Sequence, residues 1–203
     1  MIKCNVTVCS VIGRDASIRT NKEGKSFLVF PLRVMISATE RKTAPIEVDV
    51  SKETAGEETG SYRNGTRVEV QGTMFLKHRG DRIYFNLFAS EIGTADVHAA
   101  DAVRGVMEFR GKVGQQIEEK RDKKEQPYTM FSAFSTEKVE DGFEYQWVRF
   151  FCFGKEREAW LQPGVKVEAK GEMSLSAYNG KVNVSCKAEE LAQYVAESSN
   201  LNQ

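Results

Sequence analysis

Histidine is scarce in this chain: two in 203 residues, His78 and His98, neither with a cysteine or carboxylate at metal-ligand spacing. No metal and no cofactor are expected. There is no G-x-x-x-x-G-K-[ST] loop to cradle a triphosphate, no G-x-G-x-x-G dinucleotide fingerprint and no G-x-S-x-G nucleophile elbow. Carboxylates are abundant, but no spacing singles out a pair for acid-base work, so catalysis is not expected.

Long apolar runs are also missing. No stretch approaches the ~18 residues of a membrane span, and Cys4 to Ile12 alternates where a signal peptide would run apolar. The expectation is a cytoplasmic chain away from any membrane. Cys4, Cys9, Cys152 and Cys186 form no C-x-x-C pair and lie in apolar runs, which predicts reduced core thiols rather than disulfides or a metal site. An excess of charge is lacking too: 29 basic residues balance 29 acidic ones. Any surface for a polyanion has to be local.

What the sequence does have is a repeat. Gly13 and Phe30 are spaced like Gly114 and Phe131, with a charged loop of Lys, Arg and Glu filling much of each gap. Asn64-Gly65-Thr66-Arg67-Val68-Glu69-Val70-Gln71-Gly72-Thr73-Met74 is echoed by Pro163-Gly164-Val165-Lys166-Val167-Glu168-Ala169-Lys170-Gly171-Glu172-Met173. Ala89 to Ile92 and Ala188 to Leu191 close the copies, after turns at Gly80 and Gly180. The copies are assigned to residues 1–95 and 105–195, joined by a linker over 96–104, helical in expectation, and followed by a polar, fraying tail over 196–203.

Within each copy the apolar residues alternate with period two, which predicts strands. They are Cys4 to Ile12, Ser26 to Ile36, Ile46 to Val50, Arg67 to Lys77 and Arg82 to Ala89. Their counterparts are Met107 to Val113, Tyr128 to Thr136, Tyr145 to Phe153, Lys166 to Ser176 and Lys181 to Lys187. Five strands per copy suit a small closed Greek-key barrel, which leaves no sheet edge exposed. The fold class is all-β with minor α, the α part being a short helix at Lys155 to Leu161 stopped by Pro163-Gly164.

The third strand of the second copy is the most informative stretch. Alternation puts Trp147, Arg149, Phe151 and Phe153 on one side and Val148, Phe150 and Cys152 on the other. The second set suffices for a core, which leaves three aromatics and an arginine facing outward. Such a surface needs a cover. Two covers fit: unpaired bases stacked on the rings with Arg149 adding cation-π or phosphate contact, or another protein subunit.

Two segments carry a family resemblance. Trp147-Val-Arg-Phe-Phe-Cys-Phe-Gly-Lys155 resembles the strand-three signature of bacterial single-stranded DNA-binding proteins, which ends in Phe-Gly-Lys. Ile12-Gly13-Arg14-Asp15-Ala16-Ser17-Ile18-Arg19, followed by Gly24-Lys25-Ser26-Phe27-Leu28-Val29-Phe30, is similar to that family's opening segment. The resemblance implies two tandem OB-fold five-stranded Greek-key barrels and a partner in single-stranded DNA, with single-stranded RNA as the alternative. It implies that Trp147 and Phe153 stack bases, that Arg149 meets phosphate and that Tyr178, in the hairpin between the last two strands, stacks as well. Tandem members of the family dimerise, so a homodimer with four barrels is implied. The family's Gly- or Pro-rich linker to an acidic C-terminal tip is not found here, so recruitment of partners through such a tip is not expected.

Tyr128, Phe134 and Lys112 in the second copy complete the candidate face there. In the first copy Ala44, Ile46, Val48 and Val50 take one parity of strand three, and Glu47 and Asp49 take the other in place of aromatics. That copy's candidates are Phe75, Tyr84 and Phe88 with Lys77, His78 and Arg79, for which barrel-to-barrel packing is an equal explanation. Arg14, Arg19 and Lys25, with Lys22, are candidates for tracking a phosphate backbone, as are Lys120, Arg121, Lys123 and Lys124. The acids interleaved among them fit a merely solvated loop equally well.

Overall fold

The computed structural model describes residues 2–39, 42–56, 59–140, 142–154 and 156–194. Its strands are β1 (Ile2–Ile12), β2 (Ser17–Thr20), β3 (Ser26–Ala38), β4 (Thr43–Glu53), β5 (Arg67–Arg79), β6 (Arg82–Thr94), β7 (Ala102–Arg121), β8 (Pro127–Val139), β9 (Gly142–Phe153), β10 (Lys166–Tyr178) and β11 (Lys181–Gln193). In the first barrel β1 pairs antiparallel with β3 and β5, β3 with β4, and β5 with β6, while β4 and β6 close the ring in parallel. The second repeats this with β7, β8, β9, β11 and β10. Both rings have OB-fold topology. Each core is filled by the inward parity: Val8, Leu32, Val48 and Leu87 in one, Phe109, Phe131, Phe150 and Cys186 in the other.

The echoed Gly72 and Gly171 sit at equivalent bulges, between Gln71 and Gly72 in β5 and between Lys170 and Gly171 in β10. A Cβ at either would collide with the carbonyl oxygen of Phe88 or Lys187 on the neighbouring strand. Close backbone approach at the barrel corner therefore accounts for this part of the repeat.

The barrels are joined edge to edge. β1 pairs antiparallel with β7 from Ile2↔Phe109 to Cys9↔Ala102, and Asn5 meets Val106, its own counterpart in the repeat. A pseudo-two-fold axis passes between them. Around it the β10–β11 hairpin adds Ser176 and Ala177 in parallel to Ser37 and Ala38 of β3. The β5–β6 hairpin reaches the other way with side chains instead. His78 Nδ1 lies 3.0 Å from Glu144 Oε2, the Gly80 N–H donates to Glu144 Oε1 at 3.3 Å, and Arg79 pairs with Glu137 at 3.2 Å. The hydrogen bond from His78, helped by the Gly80 N–H, holds the Glu144 carboxyl below the usual carboxylate range.

Several expectations are corrected. The linker is not helical: it turns at Asp96–Ala99 and then enters β7, and Asp101 nails it to the first barrel, its carboxylate accepting from the Met35 N–H at 2.8 Å and from Arg67 Nη1 at 2.7 Å, with Ser10 Oγ 3.1 Å away. The stretch 156–161 forms no helix. Arg157 donates to the Leu161 carbonyl at 2.9 Å and Gln162 to that of Ala159 at 3.0 Å, fixing a turn that seats the buried Leu161. Lys155 and the predicted tail over 196–203 fall outside the described residues.

The charged loops are shorter than predicted. β2 and the end of β7 run as strands against β3 and β8, leaving tight turns in which Asn21 and Asp122 each accept two backbone N–H groups. A short, fully exposed strand such as β2, with Ile18 as its one apolar residue, has no alternation to betray it.

No disulfide joins the four cysteines, and burial pushes Cys4 and Cys186 up to about 12. Among the described residues no cluster could hold a metal ion and no helix is long and apolar enough to cross a membrane. Replacing Asp101 by Ala strands the half-buried Arg67 guanidinium and the Met35 N–H, and is expected to cost about 2 kcal/mol, read as a lower midpoint in urea. Asp101→Asn, which keeps an acceptor, is expected to cost less.

Candidate nucleic-acid interface

The outward parity of β9 is as the alternation predicts: Val148 and Phe150 are buried, and Trp147 is 49% exposed and Phe153 46%. The row is longer than the sequence reading made it. Phe143 at 58% and Tyr145 at 47% continue it toward the start of the strand, so five rings and Arg149 lie along one face of β9. Carrying the same alternation two steps back from Trp147 finds both.

β8 contributes a second row in register with the first. Tyr128 stands opposite Phe153 and Phe134 opposite Trp147. Tyr128 stacks on Phe153 at 5.1 Å, Phe134 tilts against Trp147 at 4.8 Å and meets Tyr145 edge-on at 5.5 Å, and Phe151 lies parallel to Phe153 at 6.2 Å. These neighbours fix the tilt of each ring while leaving outer faces open.

Positive charge borders the rings. Lys112 is opposite Phe134 and Lys120 opposite Tyr128 on β7, and Ser185 and Lys187 of β11 run alongside Arg149 and Phe151. A 2.6 Å bond to Glu118 raises the Lys120 pKa, while Arg149 acts in the opposite sense, which places the two cations on one patch. Lys112, Tyr128, Phe134, Trp147, Arg149, Phe151 and Phe153 thus share one face of the second barrel.

In the sequence Gly114 stands only as a repeat marker. In the structure it lies in the β7 bulge beneath Trp147, where a Cβ would come within 2.9 Å of the indole Cζ3 and 3.0 Å of the Ser132 carbonyl oxygen. It is the seat of the central ring.

Tyr178 is exposed at the tip of the β10–β11 hairpin, which turns through Asn179 and Gly180, both at positive φ. Ser176 and Val182 of that hairpin line a groove with Tyr145, Trp147 and Arg149. In the first barrel the strand equivalent to β9 is β4, with Glu47, Asp49 and Glu53 where β9 has Trp147, Arg149 and Phe153. Arg14 pairs with Glu47 at 3.7 Å and Lys25 with Glu53 at 3.3 Å, so these two cations answer their own barrel's acids. Arg19 is exposed on β2 beside a groove that reaches Phe88. Lys77 and Tyr84 face each other across β5 and β6, and Arg79 belongs to the joint between barrels.

No protein-family model and no curated protein matches the chain. Among solved structures, the wild-type single-stranded DNA binding protein from Thermus aquaticus is similar over 100% of this chain and 97% of its own, at 11% identity and a TM-score of 0.49. A deletion mutant of that protein aligns over 100% and 98%, at 10% identity and a TM-score of 0.47. The N-terminal domain of PriB from Thermoanaerobacter tencongensis covers 45% of this chain and 97% of its own, at 17% identity and a TM-score of 0.32. Likeness of that degree adds nothing to the topology traced through the strand pairings. What the face does has to be read from its side chains.

Gly114→Ala is expected to keep the barrel but push the indole off its seat, costing about 1–3 kcal/mol through overpacking. In a Trp160→Phe background, which leaves Trp147 as the reporter, the variant should show a shifted emission maximum; an unchanged spectrum would mean that the ring is not seated on Gly114.

Proposed function

We propose that this chain binds single-stranded DNA without sequence preference, as a non-catalytic protein that protects unpaired strands in replication, recombination or mobile-element transfer. The observation that carries the proposal is the double row of rings on β8 and β9, with Phe143, Tyr145, Trp147 and Phe153 exposed, Arg149 inside it and Lys112 and Lys120 at its border. An unpaired base of any sequence offers a flat π-face. Stacking on such rings is worth about 1–3 kcal/mol per base, a value that holds for OB-fold single-strand binders generally. Duplex DNA hides those faces, so the same surface discriminates against it.

Stacking is indifferent to the sugar, which keeps single-stranded RNA as the alternative partner. A homodimer with four barrels is part of this reading. The sheet face around the pseudo-two-fold axis is exposed and carries both signs of charge, with Glu69, Arg104, Glu108 and Lys170, and so suits self-association about a second axis. Cysteines without disulfides, three of them buried, fit the cytoplasm as its compartment.

The balance of 29 basic and 29 acidic residues favours a second reading, in which the rings are covered by protein. A titration with oligo-dT at low salt separates the two. Trp147 fluorescence is expected to quench, added salt to weaken the complex, and oligo-U to report the sugar preference. Trp147→Ala with Phe153→Ala should lose most of the affinity at unchanged mass by light scattering. If that variant keeps its affinity, or falls apart into smaller species, the rings serve a protein contact instead.

A further inference from the structure

Both barrels present rings to solvent, but on different strands. In the second barrel they lie on β8 and β9, while β11 beside them offers Asn183, Ser185 and Lys187 on the same face. In the first barrel the positions equivalent to Asn183 and Lys187 are Tyr84 and Phe88 of β6, 44% and 52% exposed, and the strand equivalent to β9 is acidic. The platform has moved by one strand.

This second patch is built, not incidental. Phe75 of β5 meets Phe88 edge-on at 5.8 Å and fixes its tilt. Lys77 stands opposite Tyr84 in the register of β5 and β6, and Lys3 opposite Phe75 in that of β1 and β5. On the other side, Phe88 and Asn86 share a groove with Arg19, Arg14 and Asp49. Of the acids on β4, Glu47 is held by Arg14 and Glu53 by Lys25, so both are partly offset before any polyanion arrives. Asp49 remains, and it favours phosphates on the β5 side, where Lys77 and Lys3 stand.

The two platforms are neighbours. His78, Ile83 and Val182 form a ridge between the barrels that borders the Trp147 groove on one side and a groove containing Tyr84, Arg82 and Lys181 on the other. We infer that the β5–β6 face of the first barrel is a second base-stacking site, with Tyr84 and Phe88 as its rings. There a longer single strand continues from the second barrel with its phosphates toward Lys77. This rests on the reading of the Trp147 face as a single-strand site.

The test uses the full chain and oligo-dT of increasing length, with Tyr84→Ala, Phe88→Ala set against Trp147→Ala, Phe153→Ala. One OB fold occupies about 4–16 nucleotides. Oligomers that fill only the second barrel should bind the Tyr84/Phe88 variant as tightly as wild type, and oligomers that reach both should bind it at least about tenfold more weakly. On the unaltered protein, photo-crosslinking with halogenated-uracil oligomers should label the peptide spanning Arg82–Thr94 with long oligomers only, and that spanning Gly142–Phe153 with both.

Equal affinity of the variant for long oligomers, or labelling that never reaches Arg82–Thr94, overturns the inference while leaving the Trp147 site intact. Loss of both labels is the failure of the underlying reading.

Discussion

The antiparallel pairing of β1 with β7 is the constraint on which the rest depends. A barrel of five strands is small, and its first strand would otherwise offer an open edge over Ile2 to Cys9. Pairing it with the first strand of the next repeat satisfies both edges at once and merges two rings into a single continuous sheet. It also fixes direction. Because Asn5 meets Val106, every face of one barrel has a counterpart related by the pseudo-two-fold axis, and the two hairpins that cross this axis close over the joint. The relation is not perfect: one hairpin docks by main-chain pairing and the other through His78, Arg79 and Glu144.

Inside the barrels the repeat is conservative in kind, since most inward positions of both copies are aliphatic, aromatic or sulfur-bearing and close-packed, with Thr129, Ser135 and Gln146 as polar exceptions in the second. Outside it is not. Glu47 and Trp147 are equivalent in the fold, as are Asp49 and Arg149, and Tyr84 and Asn183. Packing restricts the first set and leaves the second free to change without cost to the fold, so whatever distinguishes the barrels in function has to be written on the outward parity. Exposed rings are themselves unfavourable, at roughly 25 cal/mol for each Å² of apolar surface that a cover would remove from water. A surface that keeps four of them, Phe143, Tyr145, Trp147 and Phe153, on one face of β9 is therefore built for something that covers it.

This explains how much was legible in the sequence. Strand positions, the parity of β9 and the acidic parity of β4 follow from period-two alternation, which a half-buried strand imposes on every residue. β2 escaped because all four of its residues are exposed, and an exposed strand needs no apolar partner. The connection before β7 read as a linker because Ala and Asp are common in it; its rigidity comes from Asp101 meeting Ser10, Met35 and Arg67, three residues far apart in the chain. The role of Gly114 beneath Trp147 was hidden for the same reason. Contacts between distant strands set it, and no local pattern announces them.

The charges give the division of labour between the two kinds of force. Several candidate cations already have partners on the protein: Arg14, Lys25, Arg79 and Lys120 each face a carboxylate within 4 Å. A polyanion binding there has to displace or share those partners, so each such cation contributes less to counterion release than a bare one. Arg149 differs because it stands inside the row of rings, where a phosphate and a base plane can be met together. In the proposed single-strand reading, stacking supplies the affinity, and charge mainly sets where the backbone runs: past Lys112, Lys120 and Arg149 on the second barrel, and away from Asp49 on the first.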